Sequence, residues 1–153
     1  MDANYNIKIL VVEDDPEYLG RVVRWLNRFG YHDIVTTRSA EETIRLLDTD
    51  HFHVIIADMR IETDNSGFVI LEAVNRRNIA TFVIIFTAND TVEDCRKAFK
   101  SGVWDYIGKN MRGNPFDRLH HSMQEAIIYG HERQNTTPIS QASKPSSTQL
   151  MRF

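Results

Sequence analysis

Three carboxylates stand in a row at Glu13, Asp14 and Asp15, directly after the apolar stretch Ile9-Leu10-Val11-Val12. Adjacent like charges repel, so such a cluster is either spread on a solvated face or held by a cation. Further along, Asp58 follows Val54–Ala57, Thr87 follows Phe82–Phe86, and Lys109 comes just after Val103–Ile107. Each polar residue closes an apolar run. If those runs are neighbouring strands, three or four carboxylates converge on one edge with a hydroxyl and an ammonium. Carboxylates so gathered raise one another's pKa, and a hard divalent cation with oxygen ligands offsets that cost. Mg²⁺ suits the set better than zinc, because no Cys/His ligand cluster accompanies the acids. A carboxylate beside Mg²⁺ is suited to accept a phosphoryl group: the cation and lysine neutralise the phosphoryl oxygens and the hydroxyl donates a hydrogen bond. Asp58 is then the candidate nucleophile.

Such convergence needs a scaffold, and the pattern of the chain predicts one. Ile7–Val12 reads as a strand and Pro16–Phe29 as a helix, with Asp15 as N-cap, Pro16 at the first helical position, Leu19, Val22, Val23 and Leu26 at helical spacing, and Gly30 as the stop. Ile34–Thr37 is a second strand, and Ser39-Ala40-Glu41-Glu42 forms a capping box ahead of Ile44, Leu46 and Leu47. Val54–Ala57 is the third strand, followed by a polar loop and a helix from about Gly67. Phe82–Phe86 is the fourth, followed by the capping box Asp90-Thr91-Val92-Glu93 and a helix ending at Gly102. Val103–Ile107 is the fifth, and Asn114-Pro115 caps a last helix reaching about Tyr129. Alternating strands and helices with near-continuous apolar strands predict an α/β fold, a doubly wound parallel sheet covered on both faces. In such sheets ligands bind beyond the carboxyl ends of the strands.

The 153 residues, 42% hydrophobic and 25% charged, fit one domain with a substantial core, expected over residues 1–130. Residues 131–153, rich in Ser, Thr, Gln and Pro, are expected to form a disordered tail or linker stub. The lone Cys95 excludes an internal disulfide, and the chain has neither a signal-like start nor an apolar run of about 18 residues, so a cytoplasmic protein without a membrane partner is expected. A net charge of −3 argues against nucleic-acid binding by this chain.

The ordered set ILVVEDD, VIIAD ending at Asp58, VIIFTA with Thr87-Ala88, and DYIGK with Tyr106 and Lys109 closely resembles the receiver domain of two-component response regulators, of the chemotaxis-regulator type. The resemblance covers roughly residues 6–130. It implies the flavodoxin-like strand order 2-1-3-4-5, with Asp58 as phospho-acceptor, Asp14 as a direct Mg²⁺ ligand, Glu13 as a ligand through water and Arg60 as a ligand through its backbone carbonyl. Thr87, Ala88 and Lys109 would bind the phosphoryl group, Tyr106 would be the aromatic that swings inward on activation, and Arg60 and Asn89 would influence dephosphorylation. The implied protein is a switch with slow self-dephosphorylation rather than an enzyme. Its donor would be a sensor histidine kinase or phosphotransfer protein. Its output would be a downstream protein or effector domain met through helix 4, strand 5 and helix 5, and a homodimer is a further form the chain could take. Nothing after residue 130 reads as an effector, so the expectation is a stand-alone receiver or one whose effector lies elsewhere.

Two loops depart from the family pattern. After Asp58 the chain reads DMRIETDNSGF, with Ile61-Glu62 at the usual Met-Pro positions and one extra residue before Gly67. After strand 5 the usual Lys-Pro-Phe is split: Asn110–Asn114 stand between Lys109 and Pro115-Phe116. In receivers the Lys-Pro bond is commonly cis and helps aim the lysine, whereas a cis bond before a non-proline residue costs about 2.5–4 kcal/mol. The Lys109–Asn110 bond is therefore predicted to be trans, and the loop, turned by Gly113, must position Lys109 by another route or leave it looser.

Rival readings are a pseudo-receiver that only binds partners and a phosphatase of the haloacid-dehalogenase type. The latter places an acid two residues after its nucleophile, where this chain has Arg60. The histidines His32, His51, His53, His120, His121 and His131 show no ligand spacing and read as surface residues. Cys95 and Trp104 read as packing, and Arg21, Arg24 and Arg28 as a solvated helical face.

Overall fold

The computed structural model describes residues 6–136 apart from Glu62, Asp64 and Asp90. Five parallel strands, β1 (Lys8–Val12), β2 (Asp33–Thr37), β3 (Val54–Ala57), β4 (Phe82–Thr87) and β5 (Asp105–Gly108), form one sheet in the order β2-β1-β3-β4-β5. The helices α1 (Pro16–Arg28), α2 (Ala40–Thr49), α3 (Ser66–Arg77), α4 (Val92–Lys100) and α5 (Pro115–Thr136) follow the strands in turn. Among the described residues no helix is long and apolar enough to cross a membrane.

Strand side chains alternate between two buried layers, as a period of two requires. Leu10, Val12, Ile55, Ala57, Val83 and Ile85 pack with Leu47, Ile70, Leu71, Val74 and Phe99 of α2–α4. Ile9, Val11, Val54, Ile56, Ile84 and Phe86 pack with Val22 and Leu26 of α1 and Leu119, Met123 and Ala126 of α5. Both faces of the sheet are thus covered, which is why these strands lack a polar side.

Local chemistry sets the helix starts. Asp15 accepts hydrogen bonds from the backbone N–H of Glu17 and Tyr18, and Ser39 accepts one from Glu42. Before α4 the cap is Thr91, whose extended backbone (φ −101°, ψ 152°) lets its hydroxyl accept from Asp94 N–H, so the helix begins one residue later than a box at Asp90 requires. Asp90 itself lies outside the described residues. Strand β5 starts at Asp105 rather than Val103, because Val103 N–H is still committed to Ala98 O of α4. Helix α5 continues to Thr136, beyond the expected Tyr129, and passes through Gly130 despite its low helix propensity. The expected tail lies outside the described residues from 137 onward.

Two of the six histidines depart from the surface reading. His53 is half-buried and its Nδ1 accepts the Lys8 N–H at 3.1 Å. His120 is half-buried against Phe29 and Trp25, with ring centroids 4.0 and 5.8 Å away. Trp104 is buried and its indole N–H donates to Ser122 O.

Candidate functional site

The sheet extends its ladder by one rung into each loop at its carboxyl edge. Glu13 N–H donates to Thr37 O, Asp58 N–H to Val12 O, and Lys109 N–H to Thr87 O at 2.7 Å. The first residue after β1, β3 and β5 is therefore held in strand-like register at its backbone, while Thr87 is itself the last residue of β4. Rigid elements fix these four positions before any side-chain contact is made.

The side chains then divide into two groups. Lys109 Nζ lies 2.6 Å from Glu13 Oε1 and 3.0 Å from Asp58 Oδ2, bridging the two acids. All three are nearly enclosed, with side-chain exposures of 10% for Lys109, 6% for Glu13 and 12% for Asp58. Burial pushes the Glu13 carboxyl above the usual range, opposed by the adjacent ammonium. Burial alone would depress Lys109, but its bonds to Glu13 and Asp58 and their charges outweigh that, so its pKa is raised and it stays protonated. Glu13 Oε2 also accepts Asp15 N–H, and Asp58 Oδ1 accepts Arg60 N–H.

The second group sits on the β4 side. Thr87 is fully buried, and its Oγ1 accepts Asn89 N–H at 3.1 Å. Tyr106 is also buried, and its hydroxyl donates to Asn89 O at 3.2 Å. Both backbone groups of Asn89 are thus clasped by residues singled out in the sequence.

A cavity of about 650 Å³ opens at the first group, bordered by Glu13, Asp14, Asp58, Ala88 and Lys109 together with Tyr18, Arg21, Asn110 and Phe116. Thr87 and Tyr106 are not among its lining residues. Asp14 is half-buried there, and Arg60 is exposed. Among the described residues no three His, Cys, Asp or Glu side chains are gathered closely enough to hold an ion by themselves. The acidic side chains bordering the cavity, Glu13, Asp14, Asp15 and Asp58, offer carboxylate oxygens, and its lining holds no Cys or His. That fits Mg²⁺, which binds through one or two carboxylates and keeps several waters, and does not fit zinc.

The Lys109–Asn110 bond is trans, since the described residues contain no cis peptide, and Gly113 turns the inserted loop at φ 87°, where a side chain would be strained. Lys109 is nevertheless not loose. Besides its two carboxylates, its Nζ lies 4.0 Å from the centroid of the Tyr18 ring. The sequence reading missed Tyr18. The available signal was its place four residues after Asp14 in the first turn of α1, and it borders the same cavity as the acids.

The site and fold have clear relatives. The model of the response regulator receiver domain matches residues 9–123. The transcriptional regulatory protein ZraR of Escherichia coli K12 is 29% identical over 139 residues, which are 91% of this chain and 30% of that protein. Among solved structures, the receiver domain of the Francisella response regulator 1452 superposes with a TM-score of 0.68 at 26% identity, covering 84% of this chain and 98% of that one. A response regulator from Burkholderia pseudomallei, solved with a phosphorylated aspartic acid, a calcium ion and citrate, shares the fold at a TM-score of 0.65 and 20% identity, with 87% and 76% covered. The chain belongs to the response regulator receiver domain family of two-component systems. It spans 30% of the length of ZraR, so what such a whole protein does is a separate matter.

Proposed function

We propose that this chain is a phosphorylatable switch whose acceptor is Asp58. The observation that carries the reading is the pairing of Asp58 Oδ2 with Lys109 Nζ at 3.0 Å on the border of the cavity. A carboxylate oxygen of Asp58 attacks the phosphorus of a phosphoimidazole on a sensor histidine kinase or phosphotransfer protein. The P–N bond breaks with its electron pair going to nitrogen, and an acyl phosphate forms. Mg²⁺, held by Asp14, Asp58, the Arg60 carbonyl and, through water, Glu13, would neutralise charge on the phosphoryl oxygens. Lys109, already in place, exchanges a carboxylate oxygen for a phosphoryl oxygen, and Ala88 N–H and the Thr87 hydroxyl are the remaining donors.

Thr87 Oγ1, the acceptor of Asn89 N–H, still has its O–H to donate, and turning that O–H toward the phosphoryl group would pull on its bond to Asn89. Tyr106 keeps the other hold on Asn89. The bias passes to the face made by α4, β5 and α5, which would meet a downstream protein, an effector domain or a second copy of the chain. The phosphoryl group selects a conformation rather than creating one. Arg60 and Asn89, flanking the acceptor, would tune the loss of the phosphoryl group. The setting is the cytoplasm, where the donors carry out this chemistry.

The test is to incubate the protein with Mg²⁺ and acetyl phosphate. One hydroxylamine-labile phosphoryl group per chain is expected, absent in Asp58→Asn. Failure of the wild type to label, with weak Mg²⁺ binding, would favour a partner-binding pseudo-receiver. Repeated turnover of small phosphate esters would favour a phosphatase.

A further inference from the structure

The trans bond after Lys109 raises a positional question, because the backbone device that aims this lysine in the family pattern is missing and five residues intervene before Pro115. The backbone of Lys109 is fixed by its bond to Thr87 O, but its four-carbon side chain still has many rotamers. Of its two carboxylate partners, Asp58 changes charge and shape on accepting a phosphoryl group, which leaves Glu13 alone among them to hold the ammonium toward the acceptor through the reaction. A contact that neither accepts the phosphoryl group nor carries charge would keep its direction.

The geometry points to the Tyr18 ring as the positioning residue that replaces the proline device and holds Lys109 toward Asp58. The Nζ stands 4.0 Å from the Tyr18 centroid, well inside the range of a cation–π contact, and 5.9 Å from Phe86, at its limit. Being half-buried strengthens such an attraction over an exposed pair. The ring has little freedom of its own. It stacks on Phe116 at 6.1 Å and 21°, meets Phe86 at 6.1 Å, and carries the Arg21 guanidinium 5.0 Å from its centroid. Phe116 follows the inserted loop, so the segment that separates Lys109 from Pro115 returns a ring to brace Tyr18. A ring face also leaves the ammonium hydrogens available to oxygen, so the hold persists whether Lys109 pairs with a carboxylate or with a phosphoryl group.

This inference rests on Asp58 being the phospho-acceptor, and its test separates the two. Tyr18→Phe, Tyr18→Leu and a series with mono- and trifluorophenylalanine at position 18 are compared for initial rate of labelling by acetyl phosphate in Mg²⁺, for melting temperature, and for the chemical shift of the Lys109 ε-methylene protons. Tyr18→Phe should label within about two-fold of wild type and keep the upfield ring-current shift. Tyr18→Leu should lose the shift and label about three- to thirty-fold more slowly, the span of a cation–π contact. Across the fluorinated rings, which fill the same space, the rate should fall step by step as fluorine withdraws charge from the ring face. A flat rate across that series, or an ordinary Lys109 shift in the wild type, overturns the inference even if Tyr18→Leu fails to fold. Absence of labelling in the wild type overturns the acceptor assignment instead, while the ring-current shift still decides whether Tyr18 holds Lys109.

Discussion

The two halves of the site are built on opposite principles. On the β1, β3 and β5 side, Glu13 and Asp58 share the Lys109 ammonium, and with Asp14 and Arg21 they border an open cavity lined by charged groups. On the β4 side, Thr87, Asn89 and Tyr106 are neutral, and the Thr87 and Tyr106 hydroxyls hold the Asn89 backbone, while Thr87 and Tyr106 do not line that cavity. The first half is an incomplete electrostatic assembly that a cation and a phosphoryl group would complete. The second carries no charge and is joined through the Asn89 backbone. On the proposed function, chemistry and signalling would be divided between neighbouring strand ends.

This contrast predicts unequal damage. Lys109→Gln removes the cation that bridges Glu13 and Asp58, and labelling of Asp58 by acetyl phosphate should slow by about a hundred-fold, as expected for losing a preorganised donor. Thr87→Ala removes one neutral donor, worth about ten-fold or less, and should weaken the phosphorylation-dependent change at α4 more than the labelling itself. Stopped-flow labelling, together with amide shifts of α4 before and after phosphorylation, measures both. If Thr87→Ala slowed labelling as much as Lys109→Gln, the division between the halves would not stand.

The smallest effect separates the pH response of the fold from that of the site. His53, at the amino end of β3, is held below the ordinary histidine range by burial and then by His51, and its Nδ1 accepts a hydrogen bond that needs the neutral ring. Because the folded-state pKa is depressed, the unfolded chain takes up the proton first as pH falls below about 6.5. The contribution of His53 is therefore present above that pH and is lost as pH drops through its lower folded value. Urea midpoints of the wild type should fall between about pH 7 and pH 5, and those of His53→Gln should fall less.

Some of this organisation could be read directly from residue types. Val54–Ala57 was bounded correctly because polar residues stop the apolar run on both sides, and Asp15-Pro16 marks the start of α1 by cap chemistry that acts within four residues. The acids, Thr87 and Lys109 stood out because each ends such a run. What escaped depends on tertiary neighbours. Tyr18 in a helical first turn reads as packing until Lys109 is brought above it from the far end of the chain. His53 reads as surface until the Lys8 N–H meets it across the sheet. Helix α5 outruns its expected end because Gly130, which reads as a stop, is the residue whose missing side chain lets the helix lie close to Phe82.

The length of α5 has a mechanical consequence. Its 22 residues span about 33 Å at 1.5 Å each. Near its start, Phe116 is lodged among Tyr18, Trp25 and Phe86. Near its far end, Gly130 comes so close to Phe82 that an added Cβ would sit 3.0 Å from the ring, so the helix lies flush against the opening of β4. Between these ends Leu119, Met123 and Ala126 are buried against the sheet and Ser122 O accepts the Trp104 indole N–H. A helix seated along its whole inner side behaves as one stiff strut, so a push at Phe116 should be felt at Gly130 without bending in between.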